Sequence, residues 1–242
     1  MSGHSKWATI KRAKEAKDSK RSSVFTKLAN NITIAARKGG DPDMNFALRL
    51  AIDRAKAANM PRDNIDRSIK RGTGELGGAI VEELTYEGFG PAKTAFIIET
   101  VTDNKNRTAA EIRHIFTKYG GSMSTTGSVA WNFERKGVIT VPAEEIQNKN
   151  LGDDFELELI DNGVVDITKE AEGWTLYTDV EHLQKLKQFL DKLNIQTESA
   201  ELAYVSKEIK TTTVEEKNKI NQFIDALEEN SDVSNYYTDV DV

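Results

Sequence analysis

The chain has 242 residues, 33 Lys+Arg against 39 Asp+Glu, 38% hydrophobic residues and no cysteine. This length supports one to three domains around real cores, and the lack of cysteine excludes disulfides, thiolate metal sites and cysteine nucleophiles while suiting a reducing compartment. No apolar run is long enough for a membrane span and the start has no signal-like apolar segment, so the expected location is cytoplasmic.

The net charge of −6 hides a partition. Residues 1–72 hold 17 Lys+Arg and 7 Asp+Glu, net +10, whereas residues 73–242 hold 16 and 32, net −16. A polyanion would meet the first part and avoid the second, which is the electrostatic footprint expected of nucleic-acid binding. A helical surface neutralised by the chain's own acidic half would give the same count, so the placement of the cations decides between the two.

From Lys6 to about Lys20, Lys and Arg alternate with Ala, a helix-favouring texture with little to pack. Between Ser22 and Arg37, the residues Val24, Phe25, Leu28, Ile32 and Ala35 share a helical face, and Gly39-Gly40 supplies the stop. A turn at Asp41-Pro42-Asp43 leads to a helix over Asn45–Ala58. Another follows after Pro61, with Ile65 and Ile69 inward and Gly72 as its end. Past the glycine-rich linker 73–78 the composition shifts toward Val, Ile, Thr, Tyr and Phe. Strands are predicted at Val81–Gly88 and Thr94–Val101, a helix at Ala109–Tyr119 and a strand near Val129–Phe133. Residues 137–205 then read as βαββαβ: strand 137–141, helix 153–161, strands 164–168 and 174–178, helix 180–193 and strand 196–205, a ferredoxin-like unit. A helix at 214–227 and a strand at 234–240 are too little for a domain and are expected to return to the first sheet.

The fold class is therefore α+β: an N-terminal basic helical bundle plus two α+β domains, the last a ferredoxin-like βαββαβ unit inserted into the middle one. The expected boundaries are 1–78, 79–136 with 206–242, and 137–205.

Most familiar chemistry is excluded. Gly72-Thr73-Gly74-Glu75-Leu76-Gly77 has the letters of a dinucleotide fingerprint but follows a helix and precedes a strand, the reverse of the required order. No Gly-Lys pair exists to build a Walker loop. Asp41-Pro42-Asp43-Met44-Asn45 begins like a calcium loop, but Phe46 and Ile52 occupy its glycine and glutamate positions. His4, His114 and His182 stand apart, with no zinc-binding spacing, and nothing pairs two carboxylates as acid and base. The expectation is a non-enzyme with no catalytic residue, no metal, no cofactor and no small-molecule substrate.

The concentrated chemistry is cationic. His4, Lys6 and Trp7 are followed by Lys11, Arg12, Lys14, Lys17, Lys20, Arg21 and Lys27, many of them three or four apart, a spacing that lines up charges to track phosphates. Trp7 can stack on an unpaired base, His4 can touch phosphate, and Trp7 packed on the bundle is the bland alternative. Lys70 and Arg71 extend the basic face, and Lys105 and Arg107 could continue it from the turn Asp103–Asn106.

Several blocks together resemble the YebC/PmpR family: Gly3-His4-Ser5-Lys6-Trp7, Asn59-Met60-Pro61 with Asp63-Asn64-Ile65, and Ile69-Lys70-Arg71-Gly72-Thr73-Gly74. They are joined by Tyr86-Glu87-Gly88-Phe89-Gly90-Pro91, Thr102-Asp103-Asn104-Lys105-Asn106-Arg107-Thr108, and Gly120-Gly121 with Gly127-Ser128-Val129. The resemblance implies a three-domain α+β protein, cytoplasmic in bacteria and regarded as a DNA-binding transcriptional regulator, with mitochondrial relatives that activate translation. The combined expectation is a non-enzymatic regulator of gene expression whose partner is DNA or ribosomal RNA. A ribosome-associated RNA-binding factor that relieves stalled elongation is the alternative, and a protein-interaction scaffold the second.

Overall fold

The structure, a computed structural model, describes Trp7 and residues 21–77 and 81–241. It forms two compact units: one holds residues 132–209, with Trp7 among its members, and the other holds residues 21–131 and 210–240.

The second of these begins with three helices, α1 (Arg21–Ala36), α2 (Phe46–Ala57) and α3 (Arg62–Gly72). Their apolar stripes meet in a small core of Leu28, Ile32, Ala36, Leu48, Ile52, Ala55, Met60 and Ile65. The helix boundaries have local causes. Asn45 caps α2 by accepting the Leu48 N–H at 3.1 Å, Asn59 takes the left-handed conformation that lets the chain reverse between α2 and α3, and Pro61 precedes α3.

Strands β1 (Glu82–Phe89), β2 (Ala95–Thr102) and β3 (Ser122–Ser124) form a wholly antiparallel sheet with β8 (Val233–Thr238), in the order β3-β1-β2-β8. Helices α4 (Lys105–Lys118) and α8 (Val214–Glu229) pack on it through Ile112, Phe116, Ile220, Phe223, Ile224 and Leu227 against Phe96, Ile98 and Val233. Phe223 makes ring contacts with Phe96 at 4.8 Å and Phe116 at 5.0 Å, and each such buried ring contributes roughly 1.5–3 kcal/mol. Asn104 caps α4 by accepting the Arg107 N–H, so the helix starts four residues before the predicted Ala109.

Asp239 closes the sheet by accepting the Ala95 N–H at 2.9 Å. Burial pushes its carboxyl above the ordinary carboxylate range, against the pull of that N–H. The folded protein thus holds this proton more tightly than the unfolded chain. The stability the group supplies is present at low pH and is lost as pH rises from the ordinary range through the raised value. Asp239→Asn keeps an acceptor without the charge and is expected to remove that part of the decline. The check is to compare denaturant midpoints of the two proteins between about pH 3 and 7.

The other unit contains β4 (Phe133–Pro142), α5 (Ala143–Asn148), α6 (Asp153–Asp161), β5 (Val164–Lys169), β6 (Gly173–Thr178), α7 (Leu183–Lys192) and β7 (Ser199–Ser206). Its sheet order β5-β6-β4-β7, antiparallel throughout, is the ferredoxin-like arrangement of a βαββαβ chain, with α5 as an extra short helix.

Two sequence expectations are corrected. Val129–Phe133 is not a strand: Ala130–Asn132 is a 3-10 turn, and β4 starts at Phe133. The reason is Glu87 on β1, only 5% exposed, whose carboxylate accepts the N–H groups of Gly127 (2.7 Å), Val129 (2.9 Å) and Ala130 (3.0 Å). Those donors are satisfied by a side chain and need no strand partner. The predicted helix 180–193 is likewise a 3-10 turn at Val180–His182 followed by α7.

Candidate nucleic-acid interface

The sequence-predicted cations are placed in different company. His4, Lys6, Lys11, Arg12, Lys14, Lys17 and Lys20 lie outside the described residues, and Arg21 is described only as the first residue of α1. Trp7 is half-buried and adjoins Gly173: a Cβ on that glycine would stand 2.9 Å from the Trp7 ring and 2.1 Å from the Val141 carbonyl. Its indole Nε1 is buried with no hydrogen-bond partner among the described residues. Lys27 donates to the Glu228 carbonyl at 2.6 Å, tying α1 to the end of α8. Lys105 pairs with Glu82 at 3.1 Å. Arg107 is held by Asp232 at 2.9 Å, Asp103 at 3.2 Å and Glu111 at 3.9 Å, and the hydrogen bond to Asp232 leads the interactions that raise its pKa further. Thr108 donates to the same Asp232 oxygen at 2.7 Å, so this cluster ties the start of α4 to the residue preceding β8.

The end of α3 differs. Lys70 is exposed, Arg71 half-buried, and neither side chain makes an ion pair or hydrogen bond among the described residues. The same holds for Arg67, exposed one turn earlier, which the charge pattern of the sequence does not single out. A signal for it exists nonetheless: Asn64, Arg67 and Arg71 recur at i, i+3 and i+7, while Ile65 and Ile69 serve the core side of the helix.

Arg67 and Arg71 border a cleft of about 350 Å³ between α1 and α3, lined on one side by Phe25, Thr26, Ala29 and Thr33 and on the other by Asn64, Arg67, Ser68 and Arg71, with Met60 beside them. The helices approach tightly at Gly72, where a Cβ would lie 2.4 Å from the Thr33 carbonyl oxygen and 2.6 Å from the Ala36 Cβ. Thr33 donates to the carbonyls of Ala29 (2.8 Å) and Ser68 (3.2 Å), and Ser68 donates to the Asn64 carbonyl (2.7 Å). The hydroxyls of Thr33 and Ser68 are thus satisfied internally, whereas the guanidinium groups of Arg67 and Arg71 have no partner among the described residues. A site with unpaired cations and no fixed carboxylate favours an anion, and its planar forks match phosphate oxygens.

Among the described residues no group of three or more His, Asp or Glu side chains is placed to hold a metal ion, and no helix is long and apolar enough to cross a membrane.

Fold and site together define an α+β protein in which a helical bundle, its cationic face unpaired among the described residues, accompanies two antiparallel sheets. Residues 5–75 match the family described as TACO1/YebC protein N-terminal domain, and residues 81–240 match TACO1/YebC second and third domain. The chain belongs to the TACO1/YebC family. It is 50% identical to a probable transcriptional regulatory protein of Chlorobaculum tepidum, over 100% of this chain and 96% of that protein. It is 46% identical to one of Thermoanaerobacter pseudethanolicus, over 100% and 98%. A crystal structure of a conserved hypothetical protein from Aquifex aeolicus superposes with a TM-score of 0.81 at 39% identity, covering 92% of this chain and 91% of that one.

Proposed function

We propose that this protein is a non-enzymatic regulator of gene expression that grips a sugar–phosphate backbone through the α1–α3 face of its bundle. The observation that carries the reading is the pair Arg67 and Arg71 lining one cleft, with Lys70 next to them in the chain, all three unpaired among the described residues, in contrast to Lys105 and Arg107, which carboxylates already hold. The net charge of +10 over residues 1–72 adds long-range attraction, and the net −16 of the remainder turns the rest of the chain away from the polymer. The names of the relatives point the same way, toward control of transcription.

The test is the double variant Arg67→Gln with Arg71→Gln, its binding to labelled nucleic acid titrated against salt. Each phosphate that no longer meets a guanidinium should flatten the log–log salt slope by about 0.9 on duplex DNA or 0.7 on a single strand. Affinity at low salt should fall at least about tenfold, the worth of one charge-assisted hydrogen bond. An unchanged affinity and slope would remove this face from the interface.

A further inference from the structure

We infer that the α1–α3 cleft receives one unpaired nucleobase of a single strand, with the phosphates beside it on Arg67 and Arg71. The inference rests on the proposed cationic interface and adds what that interface reads. Its first support is shape. A reader of duplex sequence presents a convex helix to base edges in the major groove, whereas here the free cations border a hollow, at the small end of the roughly 300–1,000 Å³ typical of small-ligand sites. A base inside a duplex is stacked on both faces and cannot enter a hollow. A base in a loop, bulge or open strand can.

The second support is chemistry. Phe25 offers an aromatic ring and the adjacent Met60 a polarisable thioether, surfaces that stack on any base. Thr33 and Ser68 have committed their hydroxyl protons to carbonyls. The Asn64 amide, exposed and without a side-chain partner among the described residues, supplies one donor and one acceptor for a base edge. An apolar wall, one amide and two guanidiniums are the complement of a nucleotide: a flat ring with a polar edge, and an anion at its side.

The experiment uses the full-length protein and four probes: an RNA hairpin with an unpaired loop, its DNA counterpart, and fully paired RNA and DNA duplexes of the same composition. Wild type is expected to prefer the hairpins. Phe25→Leu, which keeps the helix apolar, should weaken hairpin binding by about five- to a hundredfold, the worth of one stacked base, and leave duplex binding unchanged. Asn64→Ala, at an exposed position outside the core, should move the preference in the same direction even if Phe25→Leu disturbs the bundle. A larger loss on the RNA hairpin would identify a strand bearing 2′-hydroxyls as the source, and equal losses would mean that base and phosphate alone are read. If neither variant alters the hairpin-to-duplex ratio, or if wild type shows no preference, the base pocket is wrong while the cationic face stands. If the Arg67/Arg71 pair proves irrelevant to every probe, the face itself is wrong.

Discussion

Glu87→Ala is expected to destabilise the protein by about 2–4 kcal/mol, since hydrogen bonds to a charged group are worth about 1.5–3 kcal/mol each, three neighbouring ones add only in part, and the substitution also removes the cost of burying the charge. The carboxylate is buried in β1, where it lies opposite Ser124 of β3 and Ile97 of β2. It accepts three backbone N–H groups from Gly127, Val129 and Ala130. Hydrogen bonds to a charged group are worth more than neutral ones, and their loss strands the N–H of Val129, which is buried and has no other acceptor among the described residues, while water can reach the exposed Gly127. Glu87→Gln keeps one good acceptor and turns an amide N–H₂ toward one of the three donors, so a loss of about 1–3 kcal/mol is expected there. Urea denaturation of the three proteins gives the ranking. Amide exchange adds a signature that general destabilisation would not: protection of Val129 and Ala130 should fall more than that of β2.

The same carboxylate shows where the sequence was legible. The helices of the bundle follow from stripes that recur every three or four residues, and Ile32, Leu48, Ile52 and Ile65 all lie in the core that those stripes predict. The βαββαβ order of residues 137–205 was readable because its strands are rich in Val, Thr and Tyr and its helices carry Phe155, Leu159, Leu183, Leu186 and Leu190 on one side. Val129–Phe133 misled because β-branched and aromatic residues state a preference, while the outcome depended on an acid some forty positions upstream. Three-residue β3 left no periodic trace; Gly88 and Gly121 admit it, since a Cβ at Gly88 would strike the Ser122 carbonyl at 2.6 Å and one at Gly121 the Phe89 carbonyl at 2.4 Å.

The candidate site was half legible for a related reason. Charge counting found Lys70 and Arg71 but placed them level with Lys105 and Arg107, because a sequence shows cations without their partners. Only the fold separates Arg107, surrounded by Asp103, Glu111 and Asp232, from Arg71, which has no such neighbour among the described residues. Phe25 reads in the sequence simply as a core residue. It is half-buried and serves both the bundle core and the cleft wall, a double duty that periodicity alone cannot assign.

Gly72→Ala brings core packing and the proposed interface into one measurement. Alanine is the better helix former by up to about 1 kcal/mol, so propensity alone would make the substitution stabilising. The new methyl would stand 2.4 Å from the Thr33 carbonyl oxygen and 2.6 Å from the Ala36 Cβ, both on the helix opposite, and neither atom can rotate away. Helix α1 must therefore shift as a body. Overpacking of this kind costs about 1–3 kcal/mol and here outweighs the propensity gain, giving an expected net loss of about 1–2 kcal/mol. Because Thr33 also holds the Ser68 carbonyl, the shift reaches the wall of the cleft, and nucleic-acid affinity should fall although no residue bordering the cleft has changed. Gly152→Ala is the matched control: that glycine has no atom within 4 Å of its would-be Cβ, and its φ of −131° suits any residue. It should leave binding untouched, and because Gly152 is the N-cap of α6, where alanine is disfavoured, its stability loss should come from that cap alone, about 0.5–1 kcal/mol. If Gly72→Ala melts earlier but binds like wild type, the spacing of α1 and α3 matters to folding alone and the cleft is not where the polymer sits.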